Sequence, residues 1–193
     1  MSDDTFDLYL IQAPETAFPA DDNTRGYNRD LLKAYKGSLP VQNIDDFIAK
    51  VMFEALRRHQ RIKKLVIGSH GAGIPGGYGH FYIGGNTIDV NDKRIELLSL
   101  IKPYLADDAD VYILACKTGF DEPLLQRVSR ALGGVRVHGY TEFITTTNYL
   151  LFVSVDDGTD DGGRHIVCMP NKCVDYVPPP TKPPVFMSPR LRR

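Results

Sequence analysis

The sequence predicts an α/β fold in which a mostly parallel sheet of about six strands is flanked by helices. Short apolar segments rich in β-formers alternate along the chain with segments whose apolar residues repeat at helical spacing. Such alternation is typical of βαβ units. The 193 residues, 42% of them hydrophobic and 24% charged, suffice for one compact core. We therefore expect one domain over residues 1–176, followed by a proline-rich basic tail at residues 177–193.

The first third of the chain predicts a strand, a loop and two helices. Residues 6–12 are rich in β-formers and indicate a buried strand. Residues 13–29 are rich in Pro, Asp, Asn and Gly and predict a loop, and a short helix follows over residues 30–35. Asn43 is a suitable N-cap for an amphipathic helix over residues 44–56, where apolar residues repeat at helical spacing.

The middle of the chain predicts a strand, a glycine loop, a hairpin and a helix. Residues 64–68 form an apolar strand that ends at Ser-His-Gly. A glycine-rich loop over residues 72–79 leads into a hairpin over residues 81–90. A helix then begins after Asn91 or Asp92.

The last third predicts the remaining strands and one more helix. Residues 110–115 are apolar and form a strand, and a helix over residues 123–132 ends at a pair of glycines. Further strands are expected over residues 135–140 and 149–155. Residues 156–163 are too acidic for the core and predict a solvated turn.

Charge and composition exclude several classes of function. A net charge of −1 gives no general attraction to nucleic acid or to an anionic membrane. No apolar run approaches the roughly 20 residues that span a bilayer, and the acidic first residues do not resemble a secretory signal. Three cysteines, an odd number, argue against a disulfide scaffold. We expect a cytoplasmic protein, with export by a route that needs no cleavable signal left open.

Two reactive side chains follow predicted strands directly. His70 comes after the strand over residues 64–68, and Cys116 after the strand over residues 110–115. Ligands of open α/β sheets bind beyond the carboxyl ends of the strands. A thiol becomes a nucleophile when an imidazole takes its proton. Singly, a buried cysteine and a loop histidine are ordinary structural residues, but the ordered pair predicts a catalytic site.

The two motifs resemble those of the caspase–gingipain–clostripain group of cysteine peptidases. Residues 65–71 (LVIGSHG) and 111–119 (VYILACKTG) are similar to the histidine and cysteine signatures of that group. The separation of His70 and Cys116 suits the roughly 50-residue spacing of caspases. The closer likeness is to bacterial relatives, namely the self-cleaving protease domains of large toxins and the caspase-like domains of surface and defence proteins.

The resemblance implies a fold, an activity and a set of site residues. The fold would be a caspase-like three-layer sandwich, and the activity would be endopeptidase cleavage through a thioester. Cys116 would be the nucleophile and His70 the acid/base, while backbone N–H groups of Gly71 and Cys116 would form an oxyanion hole. The substrate would be a protein or peptide, and neither a metal nor an organic cofactor would be needed.

The sequence departs from the caspase pattern around the cysteine. Leu114 stands where caspases have glutamine, and Gly119 comes one residue late, so a preference for aspartate at the cleavage site does not follow. Arg25 resembles a substrate-binding arginine of caspases. Asp121 and Glu122 are candidates for binding a basic substrate residue, and the alternative is that they are first-turn charges of the following helix.

Other readings of these motifs are weaker. Residues 71–76 match G-x-G-x-x-G, but a strand-like segment follows where a dinucleotide site needs a helix. No G-x-S-x-G elbow accompanies the histidine loop, which excludes an esterase of that kind. A metal site at Cys168, Cys173 and His165 would lack a fourth ligand, so structural cysteines are expected there. The acidic residues 156–161 lack the glutamate of a calcium loop, and we interpret His80 and His138 as structural.

One alternative to an enzyme stays open. A caspase-like fold could serve as a binding or scaffolding module in which Cys116 and His70 are present but not aligned for catalysis.

Overall fold

The computed structural model describes residues 4–17, 22–74, 77–141, 143–145, 153–155 and 164–176. It is an α/β fold whose main sheet has seven strands and is flanked by helices. The strands in chain order are β1 (Thr5–Gln12), β2 (Leu39–Val41), β3 (Arg61–Gly68), β4 (Gly71–Gly73), β5 (Gly79–Ile83), β6 (Asn86–Asp89), β7 (Leu105–Leu114), β8 (Arg136–Tyr140), β9 (Phe143–Thr145), β10 (Val153–Val155), β11 (His165–Met169) and β12 (Lys172–Asp175). The helices are α1 (Asp22–Ala34), α2 (Ile44–Arg58) and α3 (Glu122–Ala131), with 3-10 helices at Pro14–Thr16, Lys93–Tyr104 and Thr118–Phe120.

The main sheet is mixed but mostly parallel. Its strand order is β12-β11-β8-β7-β3-β1-β2. The five neighbouring strands β2, β1, β3, β7 and β8 run parallel to one another, whereas β11 runs antiparallel to β8 and β12 antiparallel to β11. β2 lies beside β1 toward one edge of the sheet, whereas β7 and then β8 follow β3 toward the opposite edge. The order therefore reverses between β1 and β3, the kind of position at which open α/β sheets bind ligands.

The strand prediction was correct for the parallel centre and incomplete at the edges. Three of its strands, β2, β11 and β12, were not predicted, and the sheet has seven strands where about six were expected. Within the stretch predicted as a strand over residues 149–155, Val153–Val155 pairs with Phe143–Thr145 in a separate two-stranded sheet. Residues 149–152, the acidic turn at 156–163 and the tail at 177–193 lie outside the described residues.

The helix caps expected from the sequence are present. The side chain of Asn43 accepts a hydrogen bond from the backbone of Asp46 at 2.9 Å and begins α2. Asp92 caps the segment Lys93–Tyr104, but this segment is a 3-10 helix with Pro103 near its end. The last helix, α3, begins at Glu122 and ends just before two glycines with positive φ.

The loop predicted over residues 13–29 is wrong in its second half. Helix α1 begins at Asp22, eight residues before the short helix expected over residues 30–35. Its buried face carries Thr24 and Asn28 ahead of Leu31, so polar side chains occupy the positions that are apolar in most buried helices. Hydrophobic periodicity therefore gave no signal there.

The two faces of the sheet are covered differently. One face packs against α2, α3 and the 3-10 helix Lys93–Tyr104 and forms the main core. On the other face, Leu31 of α1 packs next to Gly68 and Ile11 near the carboxyl ends of β1 and β3. Farther along that face a smaller cluster contains Val66, Leu114 and three tyrosines, Tyr9, Tyr35 and Tyr112, besides Tyr140. Helices thus lie on both sides of the sheet.

A disulfide joins the two strands at one edge of the sheet. Cys168 on β11 and Cys173 on β12 are register partners and are bonded to each other. The odd cysteine count argued against a disulfide scaffold, but it did not predict this one disulfide, which leaves Cys116 as the cysteine outside a disulfide.

Candidate active site

The strands that precede His70 and Cys116 are parallel neighbours. Gly68, the last residue of β3, is the register partner of Leu114, the last residue of β7. The Ser69 N–H continues this pairing and donates to the Leu114 carbonyl oxygen at 3.0 Å. His70 and Cys116 each follow two residues after the last paired position. The adjacency of strand ends that the sequence predicts is present.

The two candidate residues differ in exposure. Cys116 has 5% of its surface exposed, and His70 is half-buried. The cysteine is therefore enclosed by the protein, whereas the histidine is in contact with solvent.

The turn that carries Cys116 is held in one conformation. Lys117 has a φ of 58°, in the left-handed region that non-glycine residues seldom adopt. The Thr118 hydroxyl, fully buried, donates to the Ala115 carbonyl oxygen at 3.0 Å. Gly119 lies close to the backbone of Tyr140: a Cβ on Gly119 would be 2.7 Å from the carbonyl carbon of Tyr140. These contacts fix the backbone on both sides of the thiol.

A glycine hairpin packs directly onto this turn. β4 and β5 pair antiparallel, with Gly71 opposite Phe81. A Cβ on Gly71 would lie 2.6 Å from Ala115 Cβ and 3.2 Å from the Cys116 carbonyl oxygen, and one on Gly73 would overlap the Lys117 carbonyl oxygen. Glycine is therefore needed at both positions because the two backbones touch. The G-x-G run lies in a strand followed by another strand, as the argument against a dinucleotide site expected.

Ser69 connects the histidine loop to the hairpin. Its hydroxyl donates to the His70 carbonyl oxygen at 2.8 Å and accepts from the Tyr82 N–H at 3.1 Å. The side chain is fully buried. The backbone of His70 is thus tied to β5 as well as to β7.

Helix α1 brings polar groups to the same end of the sheet. The ring of Tyr27 lies edge-on to the His70 ring, with centroids 6.5 Å apart. Burial raises the pKa of Tyr27 well above its usual range, and the nearby Cys116 adds to the increase. Next to it, the amide of Asn28 donates to Gln12 at the end of β1 at 3.1 Å. Sequence reasoning missed Tyr27 and Asn28 because it placed them in a loop.

The three predicted substrate-binding residues occupy different environments. Arg25 lies on α1, two residues before Tyr27, and is half-buried. Asp121 is 2% exposed, and its two oxygens accept from the backbone N–H groups of Leu124 and Gly79, each at 2.9 Å. The carboxylate of Asp121 thus caps α3 and anchors the glycine hairpin, whereas Glu122 is exposed. This agrees with the alternative reading of Asp121 as a first-turn helix charge.

A second group of ionisable side chains lies along the sheet toward β11. His138 Nε2 is 2.9 Å from Asp110 Oδ1, and His138 Nδ1 is 2.9 Å from His165 Nε2. Against the upward effect of burial, hydrogen bonds from Arg136 and His138 hold the pKa of Asp110 below its usual value. Burial lowers the pKa of His138, although Asp110 acts in the opposite direction. A neutral His138 then donates to Asp110 and accepts from His165.

His138 and His80 each lie against a tyrosine side chain. His138 is 2% exposed and stacks on Tyr112 with centroids 4.1 Å apart. His80 lies on β5 with its ring 3.4 Å from the Tyr82 hydroxyl, and burial lowers its pKa. Within the described residues, no three metal-ligating side chains converge on one point.

Comparison of the chain with models of protein families, with curated proteins and with solved structures gave no match. In the part of the chain that the structure describes, the helices lack the combination of length and apolar character that crossing a membrane requires.

Proposed function

We propose that the protein is a caspase-like cysteine endopeptidase in which Cys116 is the nucleophile and His70 the acid/base. One observation carries the proposal: Gly68 and Leu114, the last residues of β3 and β7, are register partners, so these two parallel strands end side by side. The reactive residues follow these ends at equal distance along the chain. A helical layer on each side of the sheet supports the caspase-like three-layer arrangement.

The reaction uses groups of the chain itself. His70 accepts the proton of the Cys116 thiol, and the thiolate attacks the carbonyl carbon of the scissile peptide bond. Backbone N–H groups of Gly71 and Cys116 stabilise the oxyanion. His70 then gives the proton to the leaving amine as the C–N bond breaks, which leaves a thioester on Cys116. Water, deprotonated by His70, hydrolyses the thioester and restores the thiol.

Of the three predicted substrate-binding residues, Glu122 and Arg25 are accessible enough to contact a substrate, and Asp121 is not. Glu122 is exposed at the start of α3, a few residues after Cys116, and we assign to it any preference for a basic substrate residue. Arg25 on α1 is the corresponding candidate for an acidic one. Asp121 supports the site by holding the glycine hairpin to α3.

One observation favours the second candidate function, a binding or scaffolding module that performs no catalysis. Cys116 has only 5% of its surface exposed, and buried cysteines are more often inert than reactive. The two functions differ in whether Cys116 reacts with a substrate carbonyl.

A peptide-library cleavage screen distinguishes the two functions. The wild-type protein is expected to cleave a subset of peptides, while Cys116→Ala and His70→Ala lose cleavage by about 10³-fold or more and keep their circular dichroism spectra. His80→Gln, which changes a histidine of the adjoining strand, is the matched control and should retain activity. Cleavage by Cys116→Ala at the wild-type rate would exclude the peptidase.

A further inference from the structure

The Cys168–Cys173 disulfide fastens an exposed edge strand of the main sheet. β12 ends the strand order, and in the part of the chain that the structure describes it pairs with β11 alone. Three of its four residues are exposed, among them Val174 at 49%. Cys173 is the half-buried one and packs against the main core. A two-stranded hairpin is marginally stable without further support, so the disulfide is a main attachment of β12.

The bond is poorly placed to stabilise the fold as a whole. Cys168 and Cys173 are register partners five positions apart, and a turn at residues 170–171 joins their strands. A disulfide constrains the unfolded chain less when the loop that it closes is short. β11 is held without the bond, because it pairs with β8 and buries Ile166 and Val167. Breaking the bond should therefore affect β12 and leave the rest of the sheet intact.

The two sulfurs of the bond differ in access. Cys168 is fully buried in the main core, whereas Cys173 is half-buried. The Cys173 sulfur lies beside the first turn of α3, where the Gln126 amide donates to it at 3.5 Å and the Glu122 carbonyl oxygen is 3.9 Å away. An external thiolate can therefore reach Cys173 but not Cys168. After reduction Cys168 can stay in place, since an uncharged thiol packs as a small apolar group.

We propose that Cys168–Cys173 is a redox switch: a dithiol reduces the bond in the folded protein, and β12 is then released from the edge of the sheet. One thiolate of the dithiol attacks the Cys173 sulfur, and the electron pair of the broken bond goes to Cys168, which takes up a proton. The second thiol of the reductant attacks the mixed disulfide and releases Cys173 as a thiol. The dithiol leaves as a disulfide, so two electrons pass to the protein. The inference does not depend on the proposed peptidase activity.

Release of β12 changes the surface at this edge of the sheet. The Tyr176 N–H, directly after β12, donates to the His165 carbonyl oxygen at 2.7 Å, and the two rings lie 4.5 Å apart. These contacts end when the strand leaves, so His165 and its partner His138 become more accessible to solvent. β11 then becomes the edge strand and presents unpaired backbone groups, to which another extended chain can pair.

The test is amide hydrogen exchange of the folded protein, followed by NMR with and without dithiothreitol and in the absence of denaturant. Trapping with N-ethylmaleimide in denaturant, after an acid quench, counts the reduced cysteines. On reduction we expect the Tyr176 amide, and the β12 amides that pair with β11, to exchange at least about tenfold faster. The amides of the central strands β3 and β7 should keep their protection.

A variant with both Cys168→Ala and Cys173→Ser is the matched control for the reductant. Because it lacks the bond, its exchange should equal that of reduced wild type whether or not dithiothreitol is present. Cys116→Ser keeps the disulfide and should respond as wild type does. The inference is overturned if the bond is reduced only in denaturant or if reduction leaves the Tyr176 amide protected. Loss of protection in β3 and β7 as well, or a Cys116→Ser variant that no longer responds, overturns it too.

Discussion

Gly73 and Gly26 are two glycines whose replacement by alanine should have opposite effects. A side chain at Gly73 would overlap the Lys117 carbonyl oxygen, whereas one at Gly26 within α1 would have nothing within 4 Å. Gly73→Ala should therefore lower the free energy of unfolding by about 1–3 kcal/mol and slow the alkylation of Cys116. Gly26→Ala should raise that free energy by about 0.5–1 kcal/mol, since alanine is the better helix former.

Denaturant unfolding of both variants measures these changes. A Gly73→Ala variant as stable as the wild-type protein would show that the contact between the glycine hairpin and the Cys116 turn is not tight.

At the scale of single residues, the sequence predicted the candidate pair His70 and Cys116 but missed side chains that lie around it. His70 and Cys116 stand out because each follows an apolar strand directly. Tyr27 and Asn28 gave no such signal, because the helix that carries them buries polar side chains. The close approach of Gly73 to Lys117 depends on tertiary packing, which composition alone does not reveal.

Among the elements, the start of α3 connects the fold to the site. Both oxygens of Asp121 accept backbone N–H groups, one from Leu124 in α3 and one from Gly79 in the hairpin. Asp121→Ala leaves both amides without this acceptor and should cost about 2–4 kcal/mol of stability, more than the loss of an ordinary N-cap. Glu122→Ala, which changes the adjacent exposed carboxylate, should change stability by less than about 0.5 kcal/mol.

Thermal and denaturant unfolding of the two variants test this expectation. Equal stability of Asp121→Ala and Glu122→Ala would show that the carboxylate does not hold the hairpin to the helix.

Elements with a regular hydrophobic period were predicted well, and the others were not. The apolar face of α2 and its N-cap Asn43 predicted the first residue of that helix, Ile44, correctly. β2 has three residues, too few for an alternating pattern to show. The β11–β12 hairpin was missed because β12 has only four residues and is mostly exposed, so no alternating pattern marks it. The 3-10 geometry of Lys93–Tyr104 is likewise not encoded in a pattern of apolar residues.

The whole molecule should lose stability in mild acid because of His165. Burial lowers the pKa of His165 to about 4, and His138 adds to the decrease. An unfolded histidine has a pKa near 6.5, so between those values the unfolded state binds more protons and stability rises with pH. As the pH falls from about 6.5 to about 4, we expect a loss of roughly 1–2 kcal/mol, a figure that allows for partial solvent exposure.

Urea unfolding at a series of pH values measures the loss. His165→Gln should reduce the slope in this range, and His59→Gln, at an exposed histidine, serves as the control. A slope unaffected by His165→Gln would contradict the assignment.

At the scale of the molecule, alternating strands and helices predicted an α/β sheet with a parallel centre, and the structure confirms it. The antiparallel edge was not predictable from the same rule, because the rule says nothing about hairpins added after the last helix. The disulfide of that edge also removes the main argument for a reducing compartment, since such bonds persist mostly under oxidising conditions.

Because the disulfide joins two of the three cysteines, Cys116 is the one cysteine that can react as a thiol. A thiol-specific electrophile can therefore add once to each molecule, and the mass of the product shows directly whether Cys116 has reacted. A dye attached to Cys116 would label the same position in every molecule.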